Sequence, residues 1–79
     1  MKTRIQLDLI KDMNAFVNAC SNLFAEEIYV TQGRQVIAAK SLLGMYSLDW
    51  SRPVEVEIET ENEEVRKNFY NYIRAWEVK

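Results

Sequence analysis

Hydrophobic and polar residues follow two different periods along this chain, and the changes from one to the other predict its elements. Apolar residues alternate with polar ones over residues 5–9, over residues 28–38 on either side of a turn, and over residues 54–58. This alternation is typical of strands with one buried face. Over residues 12–23 and 65–76 the apolar positions recur every three or four residues, which predicts helices that pack by one side.

Polar residues mark where these elements begin and turn. Asp12 is the predicted N-cap of the first helix, and residues 60–63, with the sequence Thr-Glu-Asn-Glu, match a capping box before the last one. Gln32-Gly33 supplies a hairpin turn. Ser41 is the predicted N-cap of a short middle helix. The apolar residues of that helix are Leu42, Leu43, Met45, Tyr46 and Leu48. The order βαββαβα predicts an α+β fold, an open two-layer sandwich of one antiparallel sheet with its helices on one face.

Size and charge are those of a small folded domain. The 79 residues, 48% hydrophobic and 28% charged, suit a single domain spanning residues 1–79. The formal net charge of -2 provides no basic surface of the kind that nucleic acid binding requires, so we expect no nucleic acid partner. No apolar run is long enough to span a membrane and no leader-like segment follows Met1, so we expect a cytoplasmic protein with no membrane partner.

The chain contains no histidine and a single cysteine, Cys20. The first fact excludes histidine metal ligands, histidine acid–base catalysis and histidine phosphorylation, and the second excludes an internal disulfide. The glutamates between residues 55 and 64 alternate along a strand and then open a helix, which favours a solvated face over a cation site. We therefore expect no metal site, no cofactor and no enzymatic activity.

The most specific motif lies at the start of the middle helix. Residues 40–48 have the sequence Lys-Ser-Leu-Leu-Gly-Met-Tyr-Ser-Leu. This stretch, together with the βαββαβα order, resembles the HPr family, the small histidine-containing phosphocarriers of the bacterial sugar phosphotransferase system. The family has Lys-Ser-Ile-Met-Gly-Val-Met-Ser-Leu here, so five of the nine positions match. The resemblance covers most of the chain and implies a four-stranded antiparallel sheet, order 1-4-2-3, with three helices on one face.

The resemblance also locates the family's active site, where the residues differ. The family's Gly-Leu-His-Ala-Arg-Pro-Ala segment falls on residues 8–14 when the chain is counted back from Ser41 without gaps. The phosphoryl-accepting His of that segment falls on Ile10, which has no nucleophilic atom, and its Arg falls on Asp12, which would repel a phosphoryl group. The resemblance therefore implies an HPr-like protein that lacks the active-site His and cannot act as a histidine phosphocarrier.

Three other side chains could in principle accept a phosphoryl group. Asp8 and Asp12 could form acyl phosphates, and Cys20 could react as a thiolate. A nucleophile needs a base or a cation beside it, and only Lys11 is near in sequence. We favour structural roles instead: Asp12 as a helix cap, Asp8 on the exposed face of a strand and Cys20 in the core.

Ser41 matches the family, and two interpretations of it stay open. In Gram-positive members the serine at this place is phosphorylated by a dedicated kinase, and the apolar residues after it dock protein partners. The resemblance thus implies Ser41 as a phosphorylation site and Leu42, Leu43 and Tyr46 as a partner-binding patch. The alternative is a simple cap followed by core residues, although two successive leucines cannot both face inward. Trp50, in the next loop, is either an exposed contact residue or packed over the sheet edge.

Three functions are consistent with these residues. The first is a regulatory protein-binding module that uses the surface around Ser41, as do the catabolite-repression homologues of the family, which lack the active-site His, keep the serine and bind a transcription regulator. Its partners would be a transcription regulator, a kinase or a phosphotransferase-system enzyme. The second is a phosphocarrier in the relay, which similarity alone would assign. The third is a divergent structural or oligomerisation domain whose homodimer buries the Ser41 surface.

Overall fold

A computed structural model of the protein describes residues 2–78. The elements follow the predicted order βαββαβα, and a short 3-10 helix comes after the last of them. The bounds are β1 Thr3–Ile5, α1 Ile10–Asn22, β2 Ile28–Gln32, β3 Gln35–Ala38, α2 Leu42–Tyr46, β4 Val54–Ile58, α3 Glu63–Ile73 and the 3-10 helix Arg74–Trp76.

The four strands form one antiparallel sheet in the order β1-β4-β2-β3, which is the order that the resemblance implies. Val56 of β4 lies opposite Thr3 on one side and Val30 on the other. Val56 is fully buried, whereas the residue before it, Glu55, is exposed. The alternation along β4 therefore separates a buried face of the sheet from a solvated one.

All three helices pack on the buried face of the sheet. Phe16 of α1, Met45 of α2 and Phe69 of α3 belong to the same core cluster as the inward residues of β4. The rings of Phe16 and Trp76 meet edge to face with centroids 6.1 Å apart, so the 3-10 helix closes one end of the core. The predicted two-layer α+β sandwich is confirmed.

The hairpin between β2 and β3 turns through Gly33 and Arg34, as predicted. Gly33 has a φ of 60°, and no other residue in the part of the chain that the structure describes has a positive φ. A glycine with positive φ at the first of two loop residues is typical of a type II′ turn, which matches the twist of the flanking strands. The turn fixes the register in which Gln32 faces Gln35.

Strand β1 is shorter than the alternation predicts. It ends at Ile5, which pairs with Val54, instead of continuing to Leu9. The next residue on the β4 side is Pro53, which has no backbone N–H to donate to the ladder. The chain therefore leaves the sheet, so that Leu7 is buried outside any strand and Leu9 is exposed.

Two predicted helix caps are wrong. Leu9 is the N-cap of α1, and Asp12 lies in the first turn, where its charge still favours the positive end of the helix dipole. Asn62, not Thr60, caps α3, because its side-chain oxygen accepts two backbone N–H hydrogen bonds from the first turn at 2.9 and 3.2 Å. Asparagine is at least as good an N-cap as threonine, so the stronger acceptor sets the start of the helix.

Candidate docking surface

The chain turns from β3 into α2 at Ser41. The side-chain oxygen of Ser41 accepts a hydrogen bond from the backbone N–H of Gly44 at 3.2 Å. The backbone N–H of Ser41 donates to the Ala38 carbonyl at 3.0 Å, which closes the turn. The predicted cap is therefore confirmed, and because Ser41 is exposed its hydroxyl lies at the protein surface.

Gly44 holds α2 close to β3. A Cβ atom built at Gly44 would lie 2.7 Å from the Cγ2 atom of Ile37, closer than real side-chain carbons approach. The next residue, Met45, is fully buried. These two contacts fix which side of α2 faces the core.

The other side of α2 is apolar and exposed. Leu43 is 86% exposed, Tyr46 45% and Leu42 40%. The prediction that at least one of the two leucines faces solvent is confirmed, and a core role is wrong for both. Leu48, which the pattern placed within the helix, lies after it and is buried.

The start of α1 contributes a second exposed apolar region. Leu9 is 53% exposed, and Ile10, the position that the resemblance assigns to the family's His, is 67% exposed. An open cleft of about 180 Å³ lies between Ile10 and Tyr46. We call it the Ile10 cleft, and its lining residues are Leu7, Asp8, Leu9, Ile10, Met13, Tyr46 and Trp50. The exposed apolar residues on its two sides form what we call the apolar surface: Leu9, Ile10, Leu42, Leu43 and Tyr46.

Trp50 packs against the core and also lines the Ile10 cleft. It is half-buried, and its carbonyl accepts a hydrogen bond from the side-chain amide of Gln6 at 3.2 Å, which anchors the loop. Its indole N–H is buried and has no hydrogen-bond partner among residues 2–78. Trp50 therefore combines packing with a place in a concave surface, so neither of the two interpretations is complete alone.

Acidic residues outnumber basic ones in and around the cleft by one, since Lys11 and Arg52 lie close in sequence to its lining as well. Asp8 is the charged residue of the lining and is exposed. Asp12 lies in the first turn of α1, and Asp49 precedes Trp50 in the loop. Hydrogen bonds from the hydroxyl and the backbone N–H of Ser51 lower the pKa of Asp49, which is therefore charged at neutral pH. Charge of this sign disfavours an anionic phosphoryl group.

Cys20 is unsuited to accept a phosphoryl group. It is buried in the core cluster, as predicted. Burial raises the pKa of its thiol to about 12, and the positive charge of Lys40 opposes this rise only in part. The thiol is thus protonated and shielded at neutral pH, whereas a nucleophilic cysteine needs an accessible thiolate.

The hydrophobic pattern of the sequence does not predict that the residues around the start of α1 line the Ile10 cleft. Leu7 and Leu9 fit the alternation of a strand and Met13 fits a helix core, so nothing local indicates that they meet Tyr46 and Trp50. Their meeting depends on the contact between α1 and α2, which are far apart in sequence. The signal that points to this place is the gap-free count that sets Ile10 at the family's His position.

Among residues 2–78, no group of three or more His, Cys, Asp or Glu side chains is arranged to hold a metal ion. Within the same described range, no helix is both long enough and apolar enough to cross a membrane.

The sheet order and the three helices on one face define an HPr-like α+β fold. Among solved structures, the chain is similar to a crystal structure of HPr-C-His from Thermoanaerobacter tengcongensis, with a TM-score of 0.72. The sequence identity is 24%, and the match covers 95% of this chain and 92% of that chain. No protein-family model and no curated protein matches the sequence. The likeness establishes the fold, so the function has to be argued from the side chains.

Proposed function

We propose that this HPr-like protein is a regulatory, protein-binding module of the cytoplasm that works through the apolar surface around Ser41 and does not act as a histidine phosphocarrier. The observation that carries the proposal is the exposure of Leu42 and Leu43 on a helix whose inner side is fixed by Gly44 and Met45. Removing apolar area from water is favourable by about 25 cal/mol per Å², and this gain contributes to binding after the costs of association are subtracted. The leucines therefore favour a protein partner that covers them.

The start of α1 supports the loss of phosphoryl transfer. Ile10 occupies the exposed position that the resemblance assigns to the family's His, and its side chain has no atom that could accept a phosphoryl group. Asp12 stands where the family has an Arg, and the chain has no histidine elsewhere. The alternative, a phosphocarrier, would need a nucleophile and a cation that these positions do not provide.

Ser41 supplies a means of regulation. It is exposed and directly precedes Leu42 and Leu43. Phosphorylation would add about 1.5 to 2 negative charges at the edge of the apolar surface. A kinase acting on Ser41 would then control binding, and the other partners we propose are a transcription regulator or a phosphotransferase-system enzyme.

Affinity capture with three forms of the tagged protein tests the proposal. Leu43→Lys places a charge within the apolar surface, whereas Leu23→Lys changes a leucine that is 62% exposed at the far end of α1. We expect wild type and Leu23→Lys to retain the same partner from an extract of the source organism, and Leu43→Lys to lose at least nine-tenths of it. Equal recovery by Leu43→Lys would exclude the apolar surface as the binding site.

Two further measurements separate the remaining functions. Ser41→Asp should change the amount of partner retained, while Ser21→Asp, an exposed serine near the end of α1, should not. Sedimentation of the pure protein tests the oligomerisation domain. A wild-type dimer that Leu43→Lys dissociates would favour self-association over binding to a different protein.

A further inference from the structure

We infer that the Ile10 cleft binds one apolar side chain presented by a basic amphipathic helix of the partner protein. The inference rests on the proposed function, because it assigns the chemistry of the partner that the apolar surface binds. It concerns the cleft, whereas the proposed function depends on the leucines of α2.

The size of the cleft suits a single side chain. Its volume of about 180 Å³ is well below the roughly 300–1,000 Å³ of pockets that enclose small molecules. An anchor residue that fills a pocket of one side chain's size is a common centre of protein interfaces, where it contributes most of the binding energy.

The lining of the cleft favours an apolar side chain. Six of its seven residues are apolar or aromatic, and Asp8 is the exception. Leu7 and Met13 are buried and form the floor, so the cleft keeps its shape when the protein is alone. Tyr46 and Trp50 add flat aromatic walls against which a leucine, methionine or phenylalanine packs well.

The charges around the cleft select a basic partner. Asp8 is the charged residue of the lining itself, whereas Asp12 and Asp49, and the bases Lys11 and Arg52, only lie close in sequence to the lining residues. In a helix that inserts one apolar side chain, the residues three and four positions before and after it lie on the same side of the helix. Lysine or arginine at such positions would meet Asp8, and an acidic partner would be repelled.

The same charges argue against other occupants. A second copy of the chain facing this cleft through a two-fold axis would pair the patch with itself, so a patch whose lining carries Asp8 would face another of the same charge. An anionic lipid surface would be repelled in the same way. A basic helix laid into an apolar groove has neither problem.

Two synthetic peptides test the inference directly. Both are amphipathic helices with the same apolar stripe, and their flanking positions are lysine in one and glutamate in the other. Binding is followed by the amide signals of the nitrogen-15 labelled full chain in NMR titrations. We expect the lysine peptide to bind at least tenfold more tightly, with the largest shifts at Ile10, Met13, Tyr46 and the indole N–H of Trp50.

A charge-reversal variant supplies the control. Asp8→Lys should weaken binding of the lysine peptide at least fivefold and strengthen binding of the glutamate peptide, whereas Glu61→Lys should change neither affinity. Glu61 follows the end of β4, while Asp8 follows β1, whose Ile5 pairs with the first residue of β4, so the two acids lie at opposite ends of that strand.

Three results would overturn the inference. The first is equal affinity for the two peptides, and the second is a set of amide signal shifts confined to Leu42 and Leu43. The third is a shift of the cleft signals when the protein is concentrated without peptide, which would mean that a second copy occupies the cleft. The proposed function is tested separately, by Leu43→Lys in the capture experiment, by sedimentation of the pure protein and by phosphoryl transfer, so its failure and the failure of the inference are distinguishable.

Discussion

The two helix starts that flank the Ile10 cleft are built in opposite ways. Helix α2 starts at Ser41, whose side chain accepts the Gly44 N–H, whereas α1 starts at Leu9, whose side chain makes no capping hydrogen bond. A polar cap typically stabilises a helix by about 1 kcal/mol over an apolar residue. In α2 the residue that caps the helix is also the one that we propose as the phosphorylation site.

Helix α1 lacks the stabilisation that a polar N-cap provides. Leu9 leaves the first backbone N–H groups without a side-chain acceptor, and both it and Ile10 are more than half exposed. Exposed apolar side chains and a missing cap are unfavourable in the isolated protein, and such costs are typical of functional surfaces. The exposed, uncapped start of α1 is therefore in keeping with the proposed partner, which would cover it.

The largest expected effect concerns the contact that orients α2. Gly44→Ala should destabilise the protein by about 1–2 kcal/mol, because the new methyl group would overlap Ile37. At an exposed helix position the same change would stabilise by up to about 1 kcal/mol. Thermal unfolding gives the sign, and a raised melting temperature would show that α2 is not held against β3.

A double variant sharpens this test. In an Ile37→Ala background the overlapping Cγ2 atom is gone and the Ser41 side-chain oxygen, 3.1 Å from the added carbon, is the closest remaining atom, so the added Gly44→Ala change should cost clearly less than in wild type. If the cost of Gly44→Ala is the same in both backgrounds, the close approach of α2 to Ile37 is not its cause.

A smaller effect is expected at the capped helix start. Ser41→Ala removes the acceptor for the Gly44 N–H and should cost about 1 kcal/mol in the free energy of unfolding. Ser41→Asp keeps an acceptor there and should cost less. Denaturant unfolding measures both losses, and a Ser41→Ala variant as stable as wild type would mean that the Ser41 oxygen does not act as a cap.

The smallest effect is expected at the uncapped start, and it has the opposite sign. Leu9→Asn supplies a capping side chain and should stabilise the protein by about 0.5–1 kcal/mol relative to Leu9→Ala, which removes the same apolar side chain without adding an acceptor. The same unfolding experiment compares the two. If Leu9→Asn is no more stable than Leu9→Ala, the two helix starts do not differ in the way described.

Most of the fold could be predicted from the sequence because its elements follow strict periods. Val54, Val56 and Ile58 alternate with glutamates, and the Gly33 turn has the geometry that its residues favour. The sheet order came from the resemblance and not from the periods, because nothing in the alternation of a strand identifies its neighbours.

Two element boundaries differ from the prediction for physical reasons. Strand β1 stops where β4 offers Pro53, a limit that belongs to the partner strand and is invisible in residues 5–9 themselves. The cap at Asp12 was predicted because aspartate favours that position, but α1 already begins at Ile10, and Asp12 lies in its first turn, where an acidic residue is also favoured.

The candidate site was predictable on one side. Ser41 and the exposed leucines follow from the motif and from the rule that adjacent helix positions point in different directions. The Ile10 cleft was not predictable, because it lies where α1, α2 and the Trp50 loop meet.

Phosphoryl transfer tests the central claim most directly. The pure protein is incubated with phosphoenolpyruvate and the first enzyme of the phosphotransferase relay, beside a histidine-containing HPr as a positive control, and the acid-labile phosphoryl group on each is measured. We predict transfer to the control and none to this protein, because Ile10 offers no nucleophile at the start of α1. Stoichiometric transfer to this protein would contradict the account.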